Sequence, residues 1–177
     1  RRFVGPPLHQ SFRELYGFSQ EQAWQAVAKY RERYAVKGVY ENKLYPGIRE
    51  LLEHLSGRGK RCLATSKPEV FARKILEMQG VLPLFDVVVG AELDGTRTDK
   101  AEVIRAVLEQ LGNPPKEQVV MIGDRKHDIL GAKSVGVESI GVEYGFAPTG
   151  ELQAAGADWI VPTVAELDRL CLELSNL

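Results

Sequence analysis

Val119-Val120-Met121-Ile122-Gly123-Asp124-Arg125-Lys126-His127-Asp128 is the stretch whose reading decides the fold. Its four leading apolar residues, rich in β-branched types, read as a buried parallel strand that stops at Gly123. The chain then delivers Asp124 and Asp128, four positions apart, to the carboxyl edge of a sheet, which is where open α/β sheets bind ligands. A carboxylate leaving an apolar strand is costly to desolvate alone, so it calls for a cation, a helix N-terminus or water beside it. The pair is expected to form one side of a divalent-metal site.

Outward from that strand the chain alternates. Strands are expected over 61–65, 86–90, 119–122, 138–142 and 158–161, and helices over 69–79, 100–111, 128–135, 150–155 and 164–174. Such alternation predicts an α/β fold: a Rossmann-like parallel sheet with helices on both faces. Residues 1–43 instead carry helical signals with no strand. Leu8, Phe12, Leu15 and Tyr16 suit one short amphipathic helix, and Ser19 with Gln22 forms a capping box that opens a second. Ala23, Val27, Tyr30 and Tyr34 mark one face of that helix, and 38–44 reads as loop. Tyr45-Pro46-Gly47 punctuates the chain before a helix over 48–55, so the boundary falls at 43/44, between a helical lobe (1–43) and an α/β core (44–177).

Composition narrows the function. The 177 residues are 44% hydrophobic, enough for one full core. Charge is balanced at 23 Lys+Arg against 24 Asp+Glu, so no global basic field recruits a nucleic-acid polymer or an anionic membrane. No apolar run approaches the roughly 20 residues that span a bilayer, and no signal-peptide pattern opens the chain, so a cytoplasmic location is expected. Cys62 and Cys171 form no metal or disulfide pattern and read as buried, reduced thiols.

Polar residues recur at the carboxyl ends of successive units: Thr65, Lys100, and the Asp124/Asp128 pair. A hydroxyl, an ammonium and two carboxylates converging on one sheet edge suit a phosphate with a divalent cation. Thr65 and the Ser66 backbone N–H would bind phosphoryl oxygens, Lys100 would neutralise charge, and the carboxylates would hold Mg²⁺. His9, His54 and His127 are scattered and read as structural or surface residues.

These residues resemble the haloacid dehalogenase (HAD) superfamily of phosphohydrolases. Leu63-Ala64-Thr65-Ser66-Lys67-Pro68 is similar to its second motif, Lys100 in Thr98-Asp99-Lys100-Ala101 to its third, and Gly123-Asp124 through Asp128 to its fourth. Phe3-Val4-Gly5-Pro6-Pro7-Leu8, Leu44-Tyr45-Pro46-Gly47 and Glu143-Tyr144-Gly145 resemble the branch of phosphoglycolate phosphatases and 5′-nucleotidase-like enzymes with a helical cap. The resemblance implies that 1–43 is the C-terminal part of that cap, that Thr65 and Lys100 bind the transferring phosphoryl group, and that Asp124 ligates Mg²⁺. Asp128 would lie in the outer shell or be bonded to Lys100. Gly5-Pro6-Pro7 is the expected substrate-facing loop, with Arg31 and Arg33 as further candidates.

The family's first motif, Asp-x-Asp-Gly-Thr at the end of a central strand, supplies the nucleophile and lies before the cap. Glu92-Leu93-Asp94-Gly95-Thr96 imitates it but follows no apolar strand directly and sits just before Lys100, so it is rejected as the nucleophile. In the family's sheet the missing strand lies between those ending at Thr65 and Gly123. Leaving both neighbours unpaired would cost roughly 1–3 kcal/mol per buried group, comparable over a few groups to a whole net stability of about 5–15 kcal/mol. A further N-terminal segment of roughly 15 to 30 residues, carrying that strand and its nucleophile, is therefore expected.

The expected activity is Mg²⁺-dependent hydrolysis of a small phosphomonoester, phosphoglycolate or a nucleoside 5′-monophosphate, through an aspartyl-phosphate. Two alternatives share the motifs: a phosphoglucomutase-like phosphotransferase, and a non-catalytic binding module. Haloacid dehalogenation is disfavoured because an Asp pair suits a metal that dehalogenation does not need. The expected partner is a small phosphorylated metabolite, and self-association as a homodimer stays open.

Overall fold

A computed structural model describes residues 7–175. Among the described residues, five parallel strands alternate with helices after a helical N-terminal lobe. The lobe holds α1 (Leu8–Tyr16) and α2 (Gln20–Val36). Ser19 caps α2, its hydroxyl accepting the Gln22 N–H at 3.2 Å while the Gln22 side chain accepts the Ser19 N–H at 2.9 Å. Gly17, left-handed at φ 67°, ends α1, and Phe12 stacks on Phe18 across the turn at 6.0 Å. A single 3₁₀ turn, Gly38–Tyr40, occupies part of the expected loop.

The remaining order is α3 (Ile48–His54), β1 (Cys62–Pro68), α4 (Glu69–Met78), β2 (Val87–Ala91), α5 (Lys100–Gln110), β3 (Val120–Gly123), α6 (Lys126–Val135), β4 (Glu138–Val142), α7 (Glu151–Ala155), β5 (Trp159–Val161) and α8 (Val164–Leu174). Three expected bounds are corrected. β1 continues past Thr65 to Pro68, because its ladder to β2 resumes at Pro68 after an irregularity that leaves Ser66 and Lys67 without partners. α6 begins at Lys126 rather than at Asp128, because Asp128 Oδ2 reaches back to the Arg125 N–H at 3.1 Å and so belongs to the first turn. β3 begins at Val120, since Val119 closes a short 3₁₀ turn over Lys116–Gln118.

The ladders form two separate sheets, β1 with β2, and β3 with β4 and β5. α5 and α6 span both: Ala101, Ile104 and Ala132 pack in one cluster with Ala64 of β1 and Met121 of β3. On the opposite face, Leu51 of α3 and Leu167 and Cys171 of α8 cover Ile140, Val142 and Val161, while Leu52 and Leu76 cover Val88. Helices thus lie on both faces, as the apolar runs of β2 and β4 require. The burial gradient is inverted, however. β1 and β3 are half-buried along their whole length, whereas β2 and β4 are buried at four of five positions. Strands in the middle of a doubly covered sheet are ordinarily its most buried. β1 and β3 behave as the two sides of a break in the sheet beneath α5 and α6.

Among the described residues no helix is long and apolar enough to cross a membrane. Both cysteines are free, Cys171 buried and Cys62 half-buried.

Candidate active site

A cavity of about 330 Å³ opens at the carboxyl ends of β1 and β3, at the break in the sheet. Thr65, Ser66, Lys100, Asp124 and Asp128, singled out from the sequence, all line it, as does Pro7. Gly5 and Pro6 lie outside the described residues. Arg31 also lines the cavity, whereas Arg33 does not.

Each side chain is held for a local reason. The ladder irregularity after Thr65 turns the strand end into a short turn in which Thr65 Oγ1 accepts the Lys67 N–H at 3.1 Å. That leaves the hydroxyl hydrogen free to donate into the cavity. Lys100 is the first residue of α5, whose N-cap Asp99 accepts the Ala101 N–H at 2.9 Å. Its ammonium donates to the Ala64 carbonyl at 2.9 Å and pairs with Asp128 Oδ1 at 2.9 Å. Three glycines let these side chains approach: a Cβ on Gly131 would meet Lys100 Cγ at 2.7 Å, and Cβ atoms on Gly123 and Gly145 would overlap Asp128 and Asp124.

The two aspartates have different surroundings. Asp128 is spoken for on both oxygens, by Lys100 and by the Arg125 N–H. Asp124 accepts the Phe146 N–H on Oδ2 at 2.9 Å, with Tyr45 and Tyr144 meeting edge to face at 5.1 Å nearby. Burial pushes the Asp124 carboxyl above the ordinary aspartate range, and the Asp128 charge adds to the push against the pull of the Phe146 N–H. Burial likewise raises Tyr144 to about 12. A desolvated carboxylate of this kind gains from a cation, and its oxygen chemistry fits Mg²⁺, which takes one or two carboxylates and completes its shell with water and phosphate oxygens. No group of three His, Cys, Asp or Glu that could hold a metal forms among the described residues. Asp124 would therefore give such a cation one oxygen, and the described residues close no cage around it.

Several wall residues were not legible as such. His127, read as structural or surface, lines the cavity, its pKa lowered by burial and by Arg125 and Lys126. Arg125 is held by Glu151, Nε to Oε1 at 2.7 Å. Tyr30 and Tyr34, read as part of one apolar helix face, stand at the cavity with Phe71, while Ala23 and Val27 of that face are buried. The available signal was the change from small aliphatic to aromatic side chains along α2. Asp94 is exposed, accepts from Thr96 N at 2.8 Å and Thr96 Oγ1 at 2.7 Å, and stays outside the cavity lining. Its loop instead receives the helical lobe: Arg31 donates to the Leu93 carbonyl at 2.5 Å, and Trp24 lies against Gly95.

Comparison with known proteins places this geometry. The family model described as haloacid dehalogenase-like hydrolase matches residues 1–142. The chain is 52% identical over 153 residues to a protein of Pseudomonas aeruginosa named 5′-nucleotidase, covering 86% of this chain and 69% of that one. It is 41% identical over 144 residues to the tyrosine-protein kinase PtkA of Mycobacterium tuberculosis, covering 81% of this chain and about half (48%) of that one. A crystal structure described as a predicted phosphatase from Clostridium acetobutylicum superposes with a TM-score of 0.92 at 46% identity, covering 97% of this chain and 79% of that one.

Proposed function

We propose a phosphomonoesterase: the chain belongs to the haloacid dehalogenase-like hydrolase family, and its cavity suits Mg²⁺-assisted hydrolysis of a small phosphomonoester such as phosphoglycolate or a nucleoside 5′-monophosphate. One observation carries the reading. Thr65, Lys100 and Asp124, distant in sequence, line one cavity at the carboxyl edge of the sheet. The Thr65 hydroxyl and the Ser66 backbone would donate to phosphoryl oxygens. Lys100, its ammonium fixed by Asp128, would balance the charge that grows on them. Asp124 would hold the cation, with Asp128 outside its shell, and Mg²⁺ there would act as a Lewis acid on the phosphoryl oxygens.

The attacking carboxylate belongs to a further strand seated between β1 and β3 and ending in Asp-x-Asp-Gly-Thr. Two observations support this: β1 and β3 share no ladder although α5 and α6 cover both, and they are less buried than their outer neighbours. Asp124 and Asp128 would serve poorly as nucleophiles, because the first would hold the cation and the second is tied to Lys100. Residues 1–43 would be the cap that closes over the site and excludes water, with 44–177 as the core. The test is a panel of phosphomonoesters given to the full-length protein with and without Mg²⁺. Release of phosphate dependent on Mg²⁺ is expected, and absence of release from every ester would overturn the assignment.

A further inference from the structure

We propose that Arg97 is a positioning residue for the hydrolysis: it clamps the turn over 92–96 to the end of β2, and through that turn it holds the helical lobe over the cavity. The inference rests on the phosphomonoesterase reading and adds to it a residue that touches no substrate.

The turn is closed on itself. The Glu92 N–H donates to the Thr96 carbonyl at 3.0 Å and the Gly95 N–H to the Glu92 carbonyl at 3.3 Å, while Asp94 Oδ1 accepts both the N–H and the hydroxyl of Thr96. Its outer side receives α2, through Arg31 Nη1 on the Leu93 carbonyl at 2.5 Å and Trp24 against Gly95. Among the described residues α2 makes two hydrogen bonds to the core, this one and the one that the Tyr34 hydroxyl accepts from Lys67 at 2.5 Å. The second ends on a long lysine side chain, which can follow the helix. The first ends on backbone, so the place of the turn sets the place of α2.

Arg97 fixes the turn in its turn. Its Nε donates to the Gly90 carbonyl at 3.0 Å, and its Nη2 pairs with Glu92 and stands 3.9 Å from Glu69 Oε2. That same Glu69 oxygen accepts the Gly90 N–H at 3.2 Å, and Glu69 Oε1 holds Arg73 Nε at 2.8 Å. One guanidinium thus joins the end of β2, the start of α4 and the first residue of the turn. The backbone of Arg97 is left-handed at φ 54°; among the described non-glycine residues Asn113 alone shares that region, which asparagine enters more readily than arginine. Glycine would hold such a backbone without steric conflict, so it is the side chain that the position uses. Arg97 does not line the cavity. Lys100, three residues on, has anchors of its own: Asp99 caps its helix, and its ammonium is held by the Ala64 carbonyl and Asp128. A loosened turn therefore moves the lobe and leaves Thr65, Lys100 and Asp124 in place. A lobe that stands closed for a smaller fraction of the time weakens apparent substrate affinity by that fraction.

The test follows hydrolysis of p-nitrophenyl phosphate by the full-length enzyme as the parent, Arg97→Gly and Arg97→Lys, with inorganic phosphate as inhibitor. Arg97→Gly keeps the backbone and removes the clamp. It should raise KM about tenfold, as a fall of the closed fraction to about one tenth does, with kcat and the inhibition constant of phosphate near the parent's. Arg97→Lys keeps the charge without the planar fork and should fall between the two. In a Trp159→Phe background, where Trp24 alone emits, the emission of Arg97→Gly should move to longer wavelength. An unchanged KM, an unchanged emission, or a loss shared equally by KM, kcat and phosphate binding would each overturn the inference and leave the phosphatase reading standing. A parent that hydrolyses no phosphomonoester would overturn both.

Discussion

Lys100 Nζ stands 2.9 Å from Asp128 Oδ1, with the two side chains 12% and 10% exposed. This pair crosses from the start of α5 to the first turn of α6, and the same ammonium reaches the Ala64 carbonyl of β1. One charge thus ties both sides of the sheet break together at the point where a phosphoryl group would bind. Removing one member of a buried pair leaves the other charge uncompensated, at roughly 3–5 kcal/mol. Lys100→Met should therefore lower the unfolding free energy by about that much in urea titrations and reduce turnover at least ~10²-fold. Stability within about 1 kcal/mol of the parent would contradict the burial argument.

Asp124→Asn should separate catalysis from stability. A carboxyl whose folded pKa is raised adds stability below its unfolded pKa and loses it as the pH climbs through the folded value. At neutral pH without Mg²⁺ the Asp124 charge is thus a burden, and the variant should melt higher than the parent. Added Mg²⁺ should raise the melting temperature of the parent alone. Turnover should fall at least ~10²-fold. Equal stabilisation of both proteins by Mg²⁺ would remove Asp124 from the metal site.

Glu151 gives an acid limb to stability. Its hydrogen bonds with the Arg125 guanidinium hold the carboxyl below the ordinary glutamate range, helped by the Lys126 N–H against the opposing effect of burial. Its contribution is complete above the unfolded value near ~4.3 and is lost as the pH falls through the lower folded value. Denaturant midpoints measured from pH 6 down to pH 3 should decline less steeply in Glu151→Gln than in the parent.

Burial pushes the Cys171 thiol up to about 11 and also raises Cys62. At pH 8 the thiolate of Cys171 is then roughly one part in a thousand. A disulfide reagent should label neither cysteine readily in the native protein and both after unfolding. Rapid native labelling of Cys171 would place it outside the α8 core.

The loop that imitates a nucleophile motif is predicted to seat the helical lobe. Gly95 is left-handed at φ 92° and lies against Trp24, itself stacked on His9 at 4.9 Å. Gly95→Val would displace the indole. Fluorescence emission should shift to longer wavelength while the far-UV spectrum is kept, and an unchanged emission maximum would show that the seat tolerates a side chain.

Much of this was legible in the sequence because local chemistry dictates it. Four apolar residues ending in Gly123 and Asp124 specify a buried strand with a polar exit, and Ser19 with Gln22 specifies a helix start, whatever the rest of the chain does. Thr65, Lys100, Asp124 and Asp128 could be named because polar residues at successive strand or helix ends meet at one edge of a parallel sheet. Tertiary structure decided what spacing does not encode. Asp124 and Asp128 differ in surroundings because Lys100, from another helix, comes to Asp128, while the Phe146 N–H comes to Asp124. Tyr30 and Tyr34 differ from Val27 because they stand at the cavity, whereas Val27 is buried. Arg31 donates Nη1 to a carbonyl 62 positions away. Periodicity reports which face of a helix is apolar, but whether that face meets a core or a cavity is set by packing between elements far apart in the chain.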